Sequence, residues 1–353
     1  MVKINVLFIV IITSMMSCKK LEEKKPDLVN DVVSLSGVFV VNEGNFTYNN
    51  ASLSYVHFEN KEISNQIVKA KTNEPLGDTF QSMIIHKEKA YLALDYSNKI
   101  EVMQVNSLEK IATISLPGGP RYMQVDEVNN TLWVTQYDSV NVLGLDLSTY
   151  EIKHKIDLPD YDIPGTVLPS GSDEVIMVQD KLYVTNFRRP FVYVINTELA
   201  AIVDSFYVGY GASSLSFDGS GVWVGTTGDL RKNEKPNLSY YNMAQNKVTS
   251  TITDAQYGFG NVTYDTFNNR ILVLNNGVKT VSYTSSEINI ETIINQTNGT
   301  LYYGLNVNPT NGDIWLTDAV DYVQQGEVIH YTAIGDYVEQ FTCGYIPNDL
   351  VFY

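Results

Sequence analysis

One short pattern recurs seven times along this chain: hydrophobe, aromatic, hydrophobe, small residue, then usually an amide or a carboxylate. Its clearest copy is Leu182-Tyr183-Val184-Thr185-Asn186-Phe187, whose β-branched and aromatic residues suit a half-buried strand running into a polar loop. Aligned on the aromatic position, the copies fall at Phe39, Tyr91, Trp133, Tyr183, Trp223, Leu272 and Trp315, with gaps of 40 to 52 residues by subtraction. A period of that length, holding several short strands, is the sequence mark of a β-propeller blade. No helix-period segment of useful length interrupts it, so the fold class expected is all-β, a seven-bladed β-propeller.

Within a unit the strands are legible. In the fourth, Val175 to Val178 reads as the inner strand, Leu182 to Asn186 as the second, Phe191 to Ile195 as the third and Ala201 to Val208 as the outermost. The third unit repeats this with Tyr122 to Val125, Leu132 to Gln136, Val140 to Asp146 and Tyr150 to Leu158. Turn residues punctuate them, as in Val128-Asn129-Asn130 and Pro309-Thr310-Asn311-Gly312. The first unit lacks an inner strand before Val38-Phe39-Val40-Val41, whereas the last is followed by a spare one, Asp349-Leu350-Val351-Phe352-Tyr353. Pairing the C-terminal strand into the first blade would close the ring and remove an exposed edge, giving a propeller over 37–353.

The first residues carry a different signal. Lys3 precedes an apolar run from Ile4 to Ile12, too short to span a bilayer as a helix of roughly 20 residues, so 1–17 reads as a signal peptide. Small residues before Cys18 resemble a bacterial lipobox, with Met15 where leucine is preferred, so Cys18 is the expected lipidation site. Residues 18–36 then read as a charged tether, and Lys19-Lys20-Leu21-Glu22-Glu23 partly resembles the export signal that places lipoproteins of Bacteroidota on the outer face of the outer membrane. The expected location is therefore the outer membrane, lipid-anchored and exposed at the cell surface. With Cys343 as the only other cysteine, no disulfide can brace the mature fold if Cys18 is acylated. A formal net charge of −16, spread along the chain, argues against nucleic acid and leaves a membrane as partner only through the lipid anchor.

In a propeller, the loops from second to third strands and from each outermost strand to the next inner strand emerge on one face. Pooling them gives a face dense in tyrosine, amides and glycine. The ligand-binding candidates are Asn42, Glu43, Phe46, Tyr96, Tyr137, Asn186, Phe187, Arg188, Tyr210, Tyr257, Phe259, Tyr303 and Tyr345. Tyrosine offers a flat apolar surface with a hydroxyl handle at low entropic cost, although loop tyrosines equally serve to pack blade on blade. Arg121, Arg188 and Arg189 are placed to meet an anionic or amide-bearing ligand, or to relieve an acidic surface. Catalytic signals are weak: His57, His86, His154 and His330 fall on strands or on the opposite face, so a histidine metal site or general base is not expected. Glu43, Asp95, Asp138 and Asp318 offer a carboxylate pair or a calcium site in principle but more commonly read as solvated loop carboxylates, and neither a phosphate-cradling glycine loop nor a Gly-x-Ser-x-Gly elbow is present.

Tyr183-Val184-Thr185-Asn186 matches the signature of YVTN-type propeller repeats, and Val192-Tyr193-Val194-Ile195-Asn196-Thr197 extends the match across most of a blade. The resemblance covers nearly all of 37–353 and is strongest in the third and fourth units. Together with the lipobox and Val40-Val41-Asn42-Glu43-Gly44-Asn45-Phe46, it resembles the propeller lipoproteins of Bacteroidota. Some of these capture cobalamin (vitamin B12) at the cell surface and pass it to a TonB-dependent outer-membrane transporter. What the resemblance implies here is a non-enzymatic capture protein, with cobalamin or a related corrinoid as transported ligand rather than cofactor and such a transporter as partner. A corrinoid is broad, flat-sided and rimmed with amides, which tyrosines, asparagines and arginines can stack on and hydrogen-bond. With no histidine on that face, the cobalt is expected to stay unligated by protein. Two other readings stay open: an accessory lipoprotein for a glycan or protein partner, and a propeller hydrolase of the lactonase kind.

Overall fold

The computed structural model describes residues 36–159, 171–284 and 287–353. The expected signal peptide, Cys18, the tether up to residue 35 and the loop at Asp160-Tyr161-Asp162 lie outside the described residues. What is described forms seven four-stranded antiparallel sheets, the blades of a β-propeller. Strand bounds read from sequence shift by at most one residue in blade 4: Val175–Val178, Lys181–Thr185, Phe191–Asn196 and Ala201–Tyr207. Two short helical pieces that the sequence reading did not name interrupt the pattern, Ile67–Thr72 and the single turn Leu230–Lys232.

The recurring pattern occupies the second strand of every blade, and because successive side chains point to opposite faces that are both covered, that strand is buried almost throughout. In Lys89–Leu94, Ala90, Leu92 and Leu94 pack toward blade 1 with Phe39, Val41 and Phe80. Tyr91 and Ala93 pack the other way, toward blade 3, with Met123, Leu132 and Val134. Each strand thus feeds two layers, and the core is a ring of seven inter-blade layers rather than a central mass. The seven aligned positions are its anchors: Phe39, Tyr91, Trp133, Tyr183, Trp223, Leu272 and Trp315 are all at most 4% exposed. The outermost strands meet solvent instead and alternate, as Ala201–Tyr207 does.

The ring closes as the sequence anticipates. Pro347–Phe352 pairs antiparallel with Gly37–Asn42, setting Val38 opposite Phe352 and Val40 opposite Leu350. Proline sits at the first residue of that strand, where its missing N–H costs the ladder least. Leu350 is buried in the layer that joins blade 7 to blade 1, beside Trp315 and Val40.

Candidate functional site

Of the polar residues that end the second strands, Asn42 and Asn186 read, in sequence, as ligand-facing. In the structure most of these residues are ties. The fully buried Asn42 donates from Nδ2 to the Ser52 carbonyl (3.1 Å) and accepts the Gly344 N–H on Oδ1 (3.0 Å). Gln136 donates to the Gly118 carbonyl (3.0 Å), Asn275 to the Tyr257 carbonyl (3.1 Å), and Asp318 accepts the Leu301 N–H (2.7 Å). Asn186 is likewise buried and accepts the Arg188 N–H at 3.0 Å. Each satisfies backbone groups that a loop leaves free where it crosses from one strand to the next.

Inside this fastened ring lies a cavity of about 870 Å³, lined from all seven blades. Six of its residues are placed by one device. Where an inner strand begins, its pairing slips: between Phe80 and Ser82, Pro120 and Met123, Ala212 and Ser214, Tyr302 and Gly304, and opposite the Val41/Asn42 step at Pro347 to Asp349. The residues thereby left out of register are Gln81, Arg121 with Tyr122, Ser213, Tyr303 and Asn348, and every one of them lines the cavity. A bulge bends its strand and re-aims a side chain that regular pleating would direct elsewhere.

The cavity has two layers. Its rim carries Phe46, Tyr96, Tyr137, Phe187 and Tyr257, apolar rings left 37–62% exposed. Phe46 and Tyr96 come from neighbouring blades and meet with ring centroids 4.5 Å apart. Below them the floor is charged. Arg121 bonds Asp173 from Nε (2.9 Å) and Asp95 from Nη1 (3.3 Å), and Nη1 also donates to Gln81. Its guanidinium lies 5.3 Å from the Tyr137 ring centroid and 5.9 Å from that of Tyr122. Across the floor, Glu43 Oε1 accepts from Asn348 Nδ2 (3.0 Å) and the Tyr303 hydroxyl (3.3 Å).

Burial sets the electrostatics here. It lifts the Glu43 carboxyl to about 7 against the pull of Arg121, Asn348 and Tyr303. Asp95 rises to about 6 for the same reason, opposed mainly by Arg121. Asp349 also rises to about 6, although it accepts N–H bonds from Leu350 and Met83, and Glu174 is pushed well above the carboxylate range by burial and by Asp173. Burial works against the Arg121 charge too, but Asp173, Tyr122 and Asp95 outweigh it and hold the guanidinium above its usual range. One fixed cation thus serves several desolvated acids, and the surplus acidity is met by protons.

Of the residues expected from sequence, Glu43, Phe46, Tyr96, Tyr137, Phe187, Arg188, Tyr257 and Tyr303 line the cavity. Five do not. Asn42 and Asn186 are the buried ties described above. Phe259 is wholly buried in the layer between blades 5 and 6, because its backbone bonds Thr226 and turns the ring inward. Tyr210 lies outside the cavity with Lys232 Nζ 3.6 Å above its ring centroid. Tyr345 borders a separate cavity of about 100 Å³ beside Ser52 and Cys343. The cavity also takes in Gln81, Asp173 and Asn348, which the sequence does not single out, together with Asp95 and Arg121, one of the arginines placed to meet a ligand; the bulges give no local sequence signal.

The four histidines stay away from the cavity. His154 stacks on Trp133 and His330 on Trp315, with centroids 5.6 and 4.4 Å apart, and His330 contacts Asp313 (3.0 Å) and Glu339 (3.3 Å). Among the described residues, no three histidines, cysteines or carboxylates group to hold a metal ion.

A family model described as "Domain of unknown function (DUF5074)" matches residues 36–342. No curated protein sequence matches the chain. Among solved structures, a protein from Lactobacillus plantarum superposes with a TM-score of 0.68 at 14% identity, over 90% of this chain and 99% of that one. A quinonprotein alcohol dehydrogenase-like protein from Bacteroides thetaiotaomicron gives 0.64 at 13% identity, over 90% and 78%. Hydrazine synthase of Kuenenia stuttgartiensis gives 0.59 at 15% identity, over 74% and 85%. At these identities the likeness concerns the fold alone.

Proposed function

The chain belongs to the DUF5074 family, and we propose that it is a non-enzymatic capture protein whose cavity binds a broad, amphipathic small molecule, cobalamin or a related corrinoid. The observation that carries this reading is the pairing of layers: five exposed aromatic rings around the mouth, over a floor of fixed hydrogen-bonding groups. A ring of that kind stacks on a flat apolar face, while the floor and Arg188 meet a polar rim. In the same reading, Cys18 anchors the protein to the outer membrane at the cell surface, and a TonB-dependent transporter receives the ligand.

Calorimetric titration of residues 36–353 with cyanocobalamin tests the ligand. Binding with a matching thermal shift is expected; neither heat nor shift at micromolar ligand would remove corrinoids. Tyr137→Ala, which strips a rim ring lying against Arg121, is expected to weaken binding at least tenfold, about 1.4 kcal/mol. Tyr210→Ala, outside the cavity, is expected to leave it unchanged. Equal affinity in both variants would place the ligand elsewhere.

A further inference from the structure

Two groups in the cavity floor are half used. Glu43 spends Oε1 on Asn348 and Tyr303, whereas Oε2 has no hydrogen-bond partner among the described residues. Arg121 spends Nε on Asp173 and Nη1 on Asp95 and Gln81, leaving the two N–H groups of Nη2 without a partner among the same residues. Both side chains line the cavity, and neither spare atom is sealed from it. They influence each other's charge, yet no ion pair joins them.

Both groups are also held still. Arg121 is gripped by two carboxylates and an amide, with tyrosine rings on its flank, and Glu43 by two donors that belong to bulges. A preorganised donor pair and acceptor facing one space select for the group that satisfies both. Above about pH 7, where Glu43 is ionised, a ligand carboxylate would suit Nη2 but repel Glu43. An ammonium would suit Glu43 but repel Arg121. A primary carboxamide offers a carbonyl oxygen to one and an N–H to the other.

We propose that Glu43 and Arg121 together hold a primary carboxamide of the ligand, its carbonyl oxygen accepting from Nη2 and its nitrogen donating to Oε2. This rests on reading the cavity as a ligand site and names the chemical group it selects. Glu43 then sets specificity by rejecting a carboxylate in the amide's place, since a site built for an N–H leaves its acceptor unpaired or repelled by the analogue that lacks it.

Propionamide, propionate and propylamine at high millimolar concentration, at a pH above the Glu43 value of about 7, provide the test. The readout is the Glu43 side-chain carboxyl carbon resonance in residues 36–353, assigned by its absence in a folded Glu43→Gln variant. Propionamide is expected to shift it saturably, with an affinity about tenfold above that of either charged probe. No shift with propionamide, or an equal response to propionate or propylamine, would overturn the subsite. Cyanocobalamin and its derivative with one peripheral amide hydrolysed to a carboxylate form the second arm. If propionamide shifts the resonance while neither corrinoid binds, the corrinoid reading falls and the subsite stands.

Discussion

Glu43 illustrates how a carboxyl buried in a cavity floor burdens the fold. Below about pH 4.5, its ordinary value, the carboxyl is protonated in both folded and unfolded chains and makes no difference. Between there and about 7 the unfolded chain releases the proton while the folded chain keeps it, so stability falls as pH rises. Above about 7 the cost is constant, on the order of 1–3 kcal/mol once cavity solvent is allowed for. Asp95 and Asp349, both raised to about 6, act with the same sign. Glu43→Gln is therefore expected to match the parent in melting temperature near pH 4.5 and to exceed it increasingly up to about pH 7. A difference that is constant with pH would mean the carboxyl is ordinarily solvated.

At the scale of elements, the bulges and the loops that feed them do the positioning, and Gly119 is where they are tightest. A Cβ there would lie 1.8 Å from Asp95 Oδ1 and 2.7 Å from the Asp95 carbonyl oxygen. Gly119→Ala must therefore push Asp95 aside, loosening one of the two carboxylates that hold Arg121. The expected cost is about 1–3 kcal/mol in denaturant unfolding, with binding weakened as well. Parent-like stability would show that the loop yields freely. The second strands were legible in sequence because a period-two apolar run with an aromatic at its third position is a local signal. The aromatic rim was legible too, as Tyr96, Tyr137 and Phe187 follow directly on those strands. A bulge is different: it is a one-residue slip between partners, and nothing near Arg121 or Asn348 announces which side of the ladder will yield.

For the whole molecule, the decisive contact joins its two ends. Pro347–Phe352 completes blade 1, and its loss would uncover both the edge of Gly37–Asn42 and the layer around Trp315 and Val40. Exposing Leu350, now 1% accessible, removes about 2 kcal/mol by itself. Deletion of residues 347–353 is thus expected to lower the melting temperature by at least about 5 °C. An unchanged value would mean that blade 1 holds without its inner strand. The sequence by itself determined the seven blades, their strand order, the buried anchor of each and the closure at the ends, because all are written in spacing and in alternation of apolar residues. Only the tertiary structure decided which polar residues are ties and which face the cavity. Asn42 and Glu43 are adjacent in the chain, yet one fastens a loop and the other meets Asn348, 305 residues away, in the cavity floor. Ring closure brings such residues together, and a register slip turns them inward; the slip leaves no mark on the residues beside it.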